Sequence, residues 1–168
     1  MRHLISMLLQ NEAGALARVA GLFASRGYNI ETLTVAGTQD EDVSRLNLTV
    51  SGDDTTVEQI VKQSAKLVDV IEIADLTARE HVERELVVVH MTAPHGAVDT
   101  CLARLGGRLL QRTEAGSIVE YTGPSKAIDA FLDAIGPVDP LFTHARSGVA
   151  AIGRAWAHAV DSEVLDVE

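Results

Sequence analysis

Residues 4–36, LISMLLQNEAGALARVAGLFASRGYNIETLTVA, decide the fold. The apolar run from Leu4 to Leu9 reads as a buried strand. It ends at Gln10-Asn11, where polar side chains offer a turn and a helix start. Leu16, Val19, Ala20 and Phe23 then recur at helical spacing, with Ala13, Ala17 and Ala24 filling the same broad face. Arg26-Gly27 closes that helix: a cation near its negative end, then a glycine free to take the left-handed C-terminal conformation. Tyr28 to Ala36 is extended and rich in Thr, Ile and Val. The unit is strand, tight turn, helix, strand.

The turn has two readings. A helix N-terminus carries unsatisfied N–H groups and positive partial charge, so it can hold a carboxylate. Gly14, where Ala would be the better helix former, removes a side chain where a ligand approaches the backbone. Asn11 and Asn29 supply amide donors and acceptors at the two ends of the unit. On the plainer reading Asn11 caps the helix, Gly14 permits close packing and Asn29 starts a strand.

Outward from this stretch, Gly37 to Asp42 reads as a turn ending in Asp40, Glu41 and Asp42, a solvated hairpin tip without the regular ligand spacing of a metal site. Val43 to Ser51 alternates as a strand, and Gly52-Asp53-Asp54 breaks it. Thr55 with Glu58 forms a capping box for a helix with Val57, Ile60, Val61 and Ser64 inside. Leu67 to Ile73 is a further strand, and Thr77 to Glu83 reads as a linker. The order strand, helix, strand, strand, helix, strand is ferredoxin-like: two helices on one face of a four-stranded antiparallel sheet. The other face needs a cover, and a second copy is the expected one.

The same order then repeats. Glu85 to Ala93 is a strand. Val98, Cys101, Leu102 and Leu105 mark a helix ended by Gly106-Gly107. Leu109 to Arg112 and Ile118 to Thr122 are strands around Glu114-Ala115-Gly116. Ile128, Phe131, Leu132 and Ile135 mark a second helix, stopped by Gly136-Pro137, and Val138 to Ala145 is a last strand. The fold class is therefore α+β, two ferredoxin-like βαββαβ domains in tandem: residues 1–78, then 79–154. A tail, 155–168, extends as a helix through Trp156 before turning acidic. In the second copy Pro94-His95-Gly96 replaces the Asn-to-Gly turn, and no Tyr-Asn pair follows its helix, so it reads as a docking module rather than a second sensor.

Composition narrows the function. The 168 residues are 46% hydrophobic but only 4% aromatic, so the cores are aliphatic. A net charge of −10 argues against nucleic acid, which is held by clustered Lys and Arg. An RNA-recognition module shares the element order but stacks bases on aromatics of its central strands, and Leu4 to Leu9 and Val43 to Val50 have none. The run after His3 is too short for a cleavable signal, and no stretch reaches the roughly 20 apolar residues of a membrane helix. Cys101, the single cysteine, falls on an apolar helix face and reads as buried and reduced, which makes the cytoplasm the expected location. No catalytic residues are assigned: there is no Gly-x-Ser-x-Gly, phosphate loop, Cys-x-x-Cys or His-Glu-x-x-His, and the six histidines share no metal-ligand spacing.

The stretch NEAGALARVAGLFASRGYNIETLTVA, with Arg45, Lys62-Gln63, VDVIEIADL and the run His81-Val82-Glu83-Arg84-Glu85-Leu86, resembles the small regulatory subunits of acetolactate synthase, which begin with an ACT domain. SKAIDAFLDAI and ARSGVAAIGR match the family's C-terminal pattern, whereas CLARLGGR departs from its usual Arg-rich segment. The resemblance implies an ACT domain in residues 1–78 that binds effector and dimerises. It implies a large catalytic partner subunit carrying thiamine diphosphate, Mg²⁺ and FAD, with no cofactor in this chain. It further implies activation of that partner and feedback inhibition by valine or another branched-chain amino acid. Carried onto this sequence, Asn11, Ala13, Gly14 and Leu16 of one chain face Asn29 and Ile30 of another around the effector. The alternative is an ACT-type amino-acid sensor for a different enzyme, which need not carry the ARSGVAAIGR ending.

Overall fold

The computed structural model describes residues 1–154; the expected helix and acidic tail after Arg154 lie outside the described residues. Contacts divide the chain into two units, Met1–Val82 together with the segment from Ala150, and Glu83–Val149.

The first unit runs β1 (Arg2–Gln10), α1 (Ala15–Ser25), β2 (Ile30–Gly37), β3 (Val43–Ser51), α2 (Asp54–Ser64) and β4 (Val70–Asp75). Its antiparallel sheet has the order β2-β3-β1-β4, so the first strand lies inside and β2 and β4 are the edges. Side chains alternate across a strand, and Ile5, Met7 and Leu9 of β1 join Leu46, Leu48 and Val50 of β3. Against these pack Val19 and Phe23 of α1 and Val57 and Ile60 of α2. The buried stripe of α1 is Ala15, Val19 and Phe23, an i, i+4, i+8 row. The expected stripe included Leu16, but Leu16 stands one position off this row and is 40% exposed.

Three local expectations are corrected. The helix begins at Ala15 behind Gly14, not at Asn11, because the chain spends residues 11–14 turning over the strand end. Asp53, not Thr55, caps α2: its carboxylate accepts the Thr56 N–H at 2.7 Å, and an aspartate two positions earlier wins the orphan donor. The helix-free face of the sheet is also less bare than expected. Leu4, Ser6, Asn47 and Thr49 on it are buried, the Arg45 guanidinium donates to Ser6 Oγ, and the Thr32 and Thr49 hydroxyls share a hydrogen bond.

The second unit runs β5 (His81–Met91), α3 (His95–Leu105), β6 (Arg108–Thr113), β7 (Gly116–Gly123), α4 (Ser125–Ile135) and β8 (Thr143–Arg146). Its sheet order, β6-β7-β5-β8, repeats that of the first unit, and β9 (Ala150–Gly153) also pairs with β5. The segment expected as a linker already belongs to β5 from His81 onward. The last strand is shorter than expected: after α4, Val138 and Asp139 bond back to the Ile135 carbonyl, so β8 starts only at Thr143. The core holds Val87, Val89, Met91, Val98, Cys101, Leu102, Val119, Ile128, Phe131 and Ile135, with the Tyr121 ring stacked on Phe131 at 4.6 Å. Cys101 is free and buried, and burial pushes its thiol up. At Gly116, φ is 144° and a Cβ would sit 2.3 Å from the Met91 carbonyl oxygen, so this tight hairpin end requires glycine.

Candidate functional site

The site is built where β1 hands over to α1. The Gln10 N–H donates to the Asp69 carbonyl and the Asn11 N–H to the Asp42 carbonyl, so the strand end is tied to both neighbouring segments. The Asn11 side chain donates from Nδ2 to the Glu41 carbonyl at 2.9 Å and accepts from Ser44 Oγ at 3.0 Å. Asn11 therefore does not cap α1, as its plainer reading had it. It fastens the turn to the β2–β3 hairpin and keeps one lone pair of Oδ1 in reserve.

The N-cap of α1 is Gly14, at φ 95°, with no side-chain cap. The Ala15 N–H donates to the Glu12 carbonyl at 3.2 Å, and the Leu16 and Ala17 N–H groups keep their donor capacity at the positive end of the helix. Beside them stands Arg18, held by Asp69 through two parallel bonds: Nε to Oδ2 at 2.5 Å and Nη2 to Oδ1 at 2.6 Å. The Asp69 side chain is only 2% exposed, and the guanidinium holds its carboxyl below the usual carboxylate range. Arg18 Nη1 points at the turn; a Cβ built on Gly14 would lie 3.0 Å from it. A cleft of about 400 Å³ opens here, lined by Gln10, Asn11, Glu12, Asp42, Val43 and Ile71.

The corresponding turn of the second unit is filled from within. Asp139, 4% exposed, accepts the N–H groups of Thr92, Ala93 and Leu141 and the Thr92 hydroxyl. Burial pushes its carboxyl up, but the amide bonds outweigh burial and hold it low. Each unit carries an aspartate at the approach to its last strand. Asp69 spends its oxygens on a guanidinium and leaves the turn open, whereas Asp139 spends its oxygens on the turn.

Of the residues singled out in the sequence, Asn11, Ala13, Gly14 and Leu16 share one end of α1, and all four are exposed. Asn29 and Ile30 lie past the other end, about 16 Å away for an eleven-residue helix. Asn29 is exposed and Ile30 packs partly on the first core. One chain does not bring the two groups together. Sequence reasoning missed Ile71 and the Arg18–Asp69 pair; Arg and Asp 51 residues apart carry no local signal. Among the described residues, no group of His, Cys, Asp and Glu could hold a metal ion.

The pairing acts on pH in one direction. A carboxyl with a depressed folded pKa contributes stability above its unfolded pKa, and that contribution is lost as the pH falls through the folded value. The melting temperature of the wild type is therefore expected to exceed that of Asp69→Asn above about pH 5, and the gap to close below about pH 4, near the unfolded value for Asp. A gap independent of pH would mean that the Asp69 charge is not what Arg18 reads.

Two ferredoxin-like units, the first opening a glycine turn at its helix start, define a tandem protein of the ACT class. Residues 5–72 match the family model described as AHAS small subunit-like ACT domain, and residues 83–155 match the model described as small subunit of acetolactate synthase. The chain is 43% identical over 157 residues to the acetolactate synthase isozyme 3 small subunit of Escherichia coli K12, covering 92% of this chain and 96% of that one. It is 39% identical to the acetolactate synthase small subunit of Haemophilus influenzae, again over 92% and 96%. The crystal structure of the Thermotoga maritima acetolactate synthase small subunit superposes with a TM-score of 0.80 at 33% identity, over 92% of this chain and 98% of that one. The chain belongs to the acetolactate synthase small-subunit family. The relatives it matches are small subunits of acetolactate synthase. Among the described residues no helix is long and apolar enough to cross a membrane.

Proposed function

We propose that this chain activates the large, thiamine-diphosphate-dependent subunit of acetolactate synthase in the cytoplasm and imposes feedback inhibition by valine. Thiamine diphosphate, Mg²⁺ and FAD belong to the large subunit in this reading. The observation that carries it is the contrast between the two turns: the first is uncapped and open, the second is filled by Asp139. The first-turn amides of α1 take the effector's carboxylate, and Asn11 Oδ1 accepts from its ammonium. Leu16 and, from a second copy, Ile30 and Asn29 complete the pocket.

A second copy is supported by β2. This edge strand turns Leu33 and Val35 to the helix side, where they are 37% and 40% exposed, beyond the cover of α1 and α2. An uncovered apolar edge is a template for pairing with another chain. The rival, a sensor for a different enzyme, is not favoured, because the acetolactate synthase model also matches the second half.

The test is reconstitution with the catalytic subunit. Adding the full chain is expected to raise the rate of acetolactate formation, and valine to lower it again. Sedimentation at micromolar concentration is expected to show at least a dimer of the 17.9 kDa chain. A chain that neither stimulates the enzyme nor binds valine in a calorimetric titration sinks this reading.

A further inference from the structure

Three carboxylates are buried among the described residues: Asp69, Glu85 and Asp139. Two of them face a guanidinium, Asp69 that of Arg18 and Glu85 that of Arg146. Asp139 differs, because the partners of its carboxylate are uncharged donors. Its Oδ2 accepts the Thr92 N–H and, at 3.1 Å, the Ala93 N–H. Its Oδ1 accepts the Leu141 N–H at 3.1 Å. The Thr92 hydroxyl lies 3.2 Å from Oδ1 and 3.3 Å from Oδ2. A buried charge without a counter-ion is costly, so these donors stand in for its hydration. Two successive backbone N–H groups make a concavity that takes an anion, and the third, from Leu141, engages the other oxygen. Donors on both oxygens select a planar two-oxygen anion over a halide. The loop is held by its own backbone: the Asp139 N–H donates to the Ile135 carbonyl, and the Asp139 carbonyl accepts the Phe142 N–H. A covalently tethered ligand acts at high effective concentration.

We propose that the β5–α3 turn, residues 92–94, is a carboxylate-binding site whose resident ligand is the Asp139 side chain. The tether keeps the site saturated, so the second unit does not answer carboxylates in solution. Removing the tethered group frees the donors for a carboxylate that fits the vacated volume. That is formate in Asp139→Ala, where Cβ remains, and acetate in Asp139→Gly, where Cβ is gone too. The inference concerns the second unit alone and stands whether or not the first unit binds an effector.

The experiment is native-state hydrogen exchange of the β5 and β7 amides in the full chain, for the wild type, Asp139→Ala, Asp139→Gly and Asp139→Asn. Each is titrated with sodium formate, sodium acetate or, as control, sodium chloride at equal ionic strength. The Ala and Gly variants are expected to lose protection at least about tenfold, because buried donors lose their acceptor. Formate is expected to restore Asp139→Ala saturably, by about tenfold at ten times its dissociation constant, with acetate weaker. In Asp139→Gly acetate is expected to be the better of the two. The wild type and Asp139→Asn, whose sites are filled, should respond to neither anion beyond the chloride control. Where the second unit of a variant is unfolded without ligand, the return of protected β5 and β7 amides on adding carboxylate reads the same binding. Protection that no carboxylate raises above chloride in either the Ala or the Gly variant overturns the proposal. So does a response of Asp139→Asn equal to theirs, since the effect then does not come from a vacated carboxylate site.

Discussion

Gly14→Asp is expected to raise the valine concentration for half-inhibition by roughly tenfold to a hundredfold, the equivalent of losing a charged hydrogen bond of about 1.5–3 kcal/mol. Stimulation of the catalytic subunit should persist. Two effects act together. The new carboxylate would stand where the effector's own carboxylate is placed, at a helix start with room for one anion. It would also reach Arg18, whose Nη1 lies 3.0 Å from the position of a Cβ, and compete there with Asp69. From the sequence, Asp near a helix start is nearly harmless to folding. The structure adds a cost, because φ at Gly14 is 95° and a side chain in the left-handed region is strained by about 1–2 kcal/mol, less for Asp than for most. Gly14→Ala separates the effects: it has the strain and a methyl group but no charge, and its loss of valine response should be smaller. Valine titration of each reconstituted variant decides. An Asp variant that activates and is inhibited at wild-type concentrations would remove Gly14 from the effector site.

The second large effect is expected at Arg146→Met. Glu85 has a fully buried side chain, and Arg146 meets both its oxygens, Nε to Oε1 at 2.7 Å and Nη2 to Oε2 at 2.8 Å. Arg146 also donates from Nη1 to Asp129, and Ser125 Oγ donates to Glu85 Oε2. The Glu85 bonds, followed by that to Asp129, push the guanidinium pKa further up, so Arg146 keeps its charge. Removing the cation leaves a buried carboxylate uncompensated, which costs about 3–5 kcal/mol. Native-state hydrogen exchange of the β5 and β7 amides is the measurement, because it reads the second unit separately from β1 and β3. The double variant Glu85→Gln, Arg146→Met removes both charges and should recover most of the loss. A single variant no worse than the double would mean that the pair is not a buried charge couple.

How far these sites were legible depends on the range of the signal. The element order came from local periodicity, and the sheet order followed from it: β1 and β5 are inner strands in both units. Gly14 was legible because a glycine at a helix start is a local anomaly. Leu16 was misjudged because Ala13, Ala17 and Ala24 blur the stripe, and only the packed helix shows that the row is Ala15, Val19 and Phe23. Asp69 and Asp139 look alike in sequence, each a polar residue near a strand start. What separates an open turn from a filled one is which donors those carboxylates meet across 51 and 47 residues, and no local pattern carries that. Ile71 sat in an apolar run whose alternation hides an inserted residue, so the bulge is visible only in the register with β1.

The inner position of each unit's first strand also sets the order in which a growing chain can be completed. The Leu4 N–H waits for the Thr77 hydroxyl, 73 residues on, and Glu85 waits for Arg146, 61 residues on. Translation supplies the central strand of each unit first and its outer flank last. While residues 81–91 are already outside the ribosome, their bonding groups facing β8 and β9 have no strand to meet until residues 143–153 emerge. Since domains form as they leave the ribosome, N-terminal first, the β1–β4 sheet is built well before the β5–β8 sheet. A nascent chain stalled ahead of Thr143 exposes the Val87–His90 backbone as an open template for association with other chains.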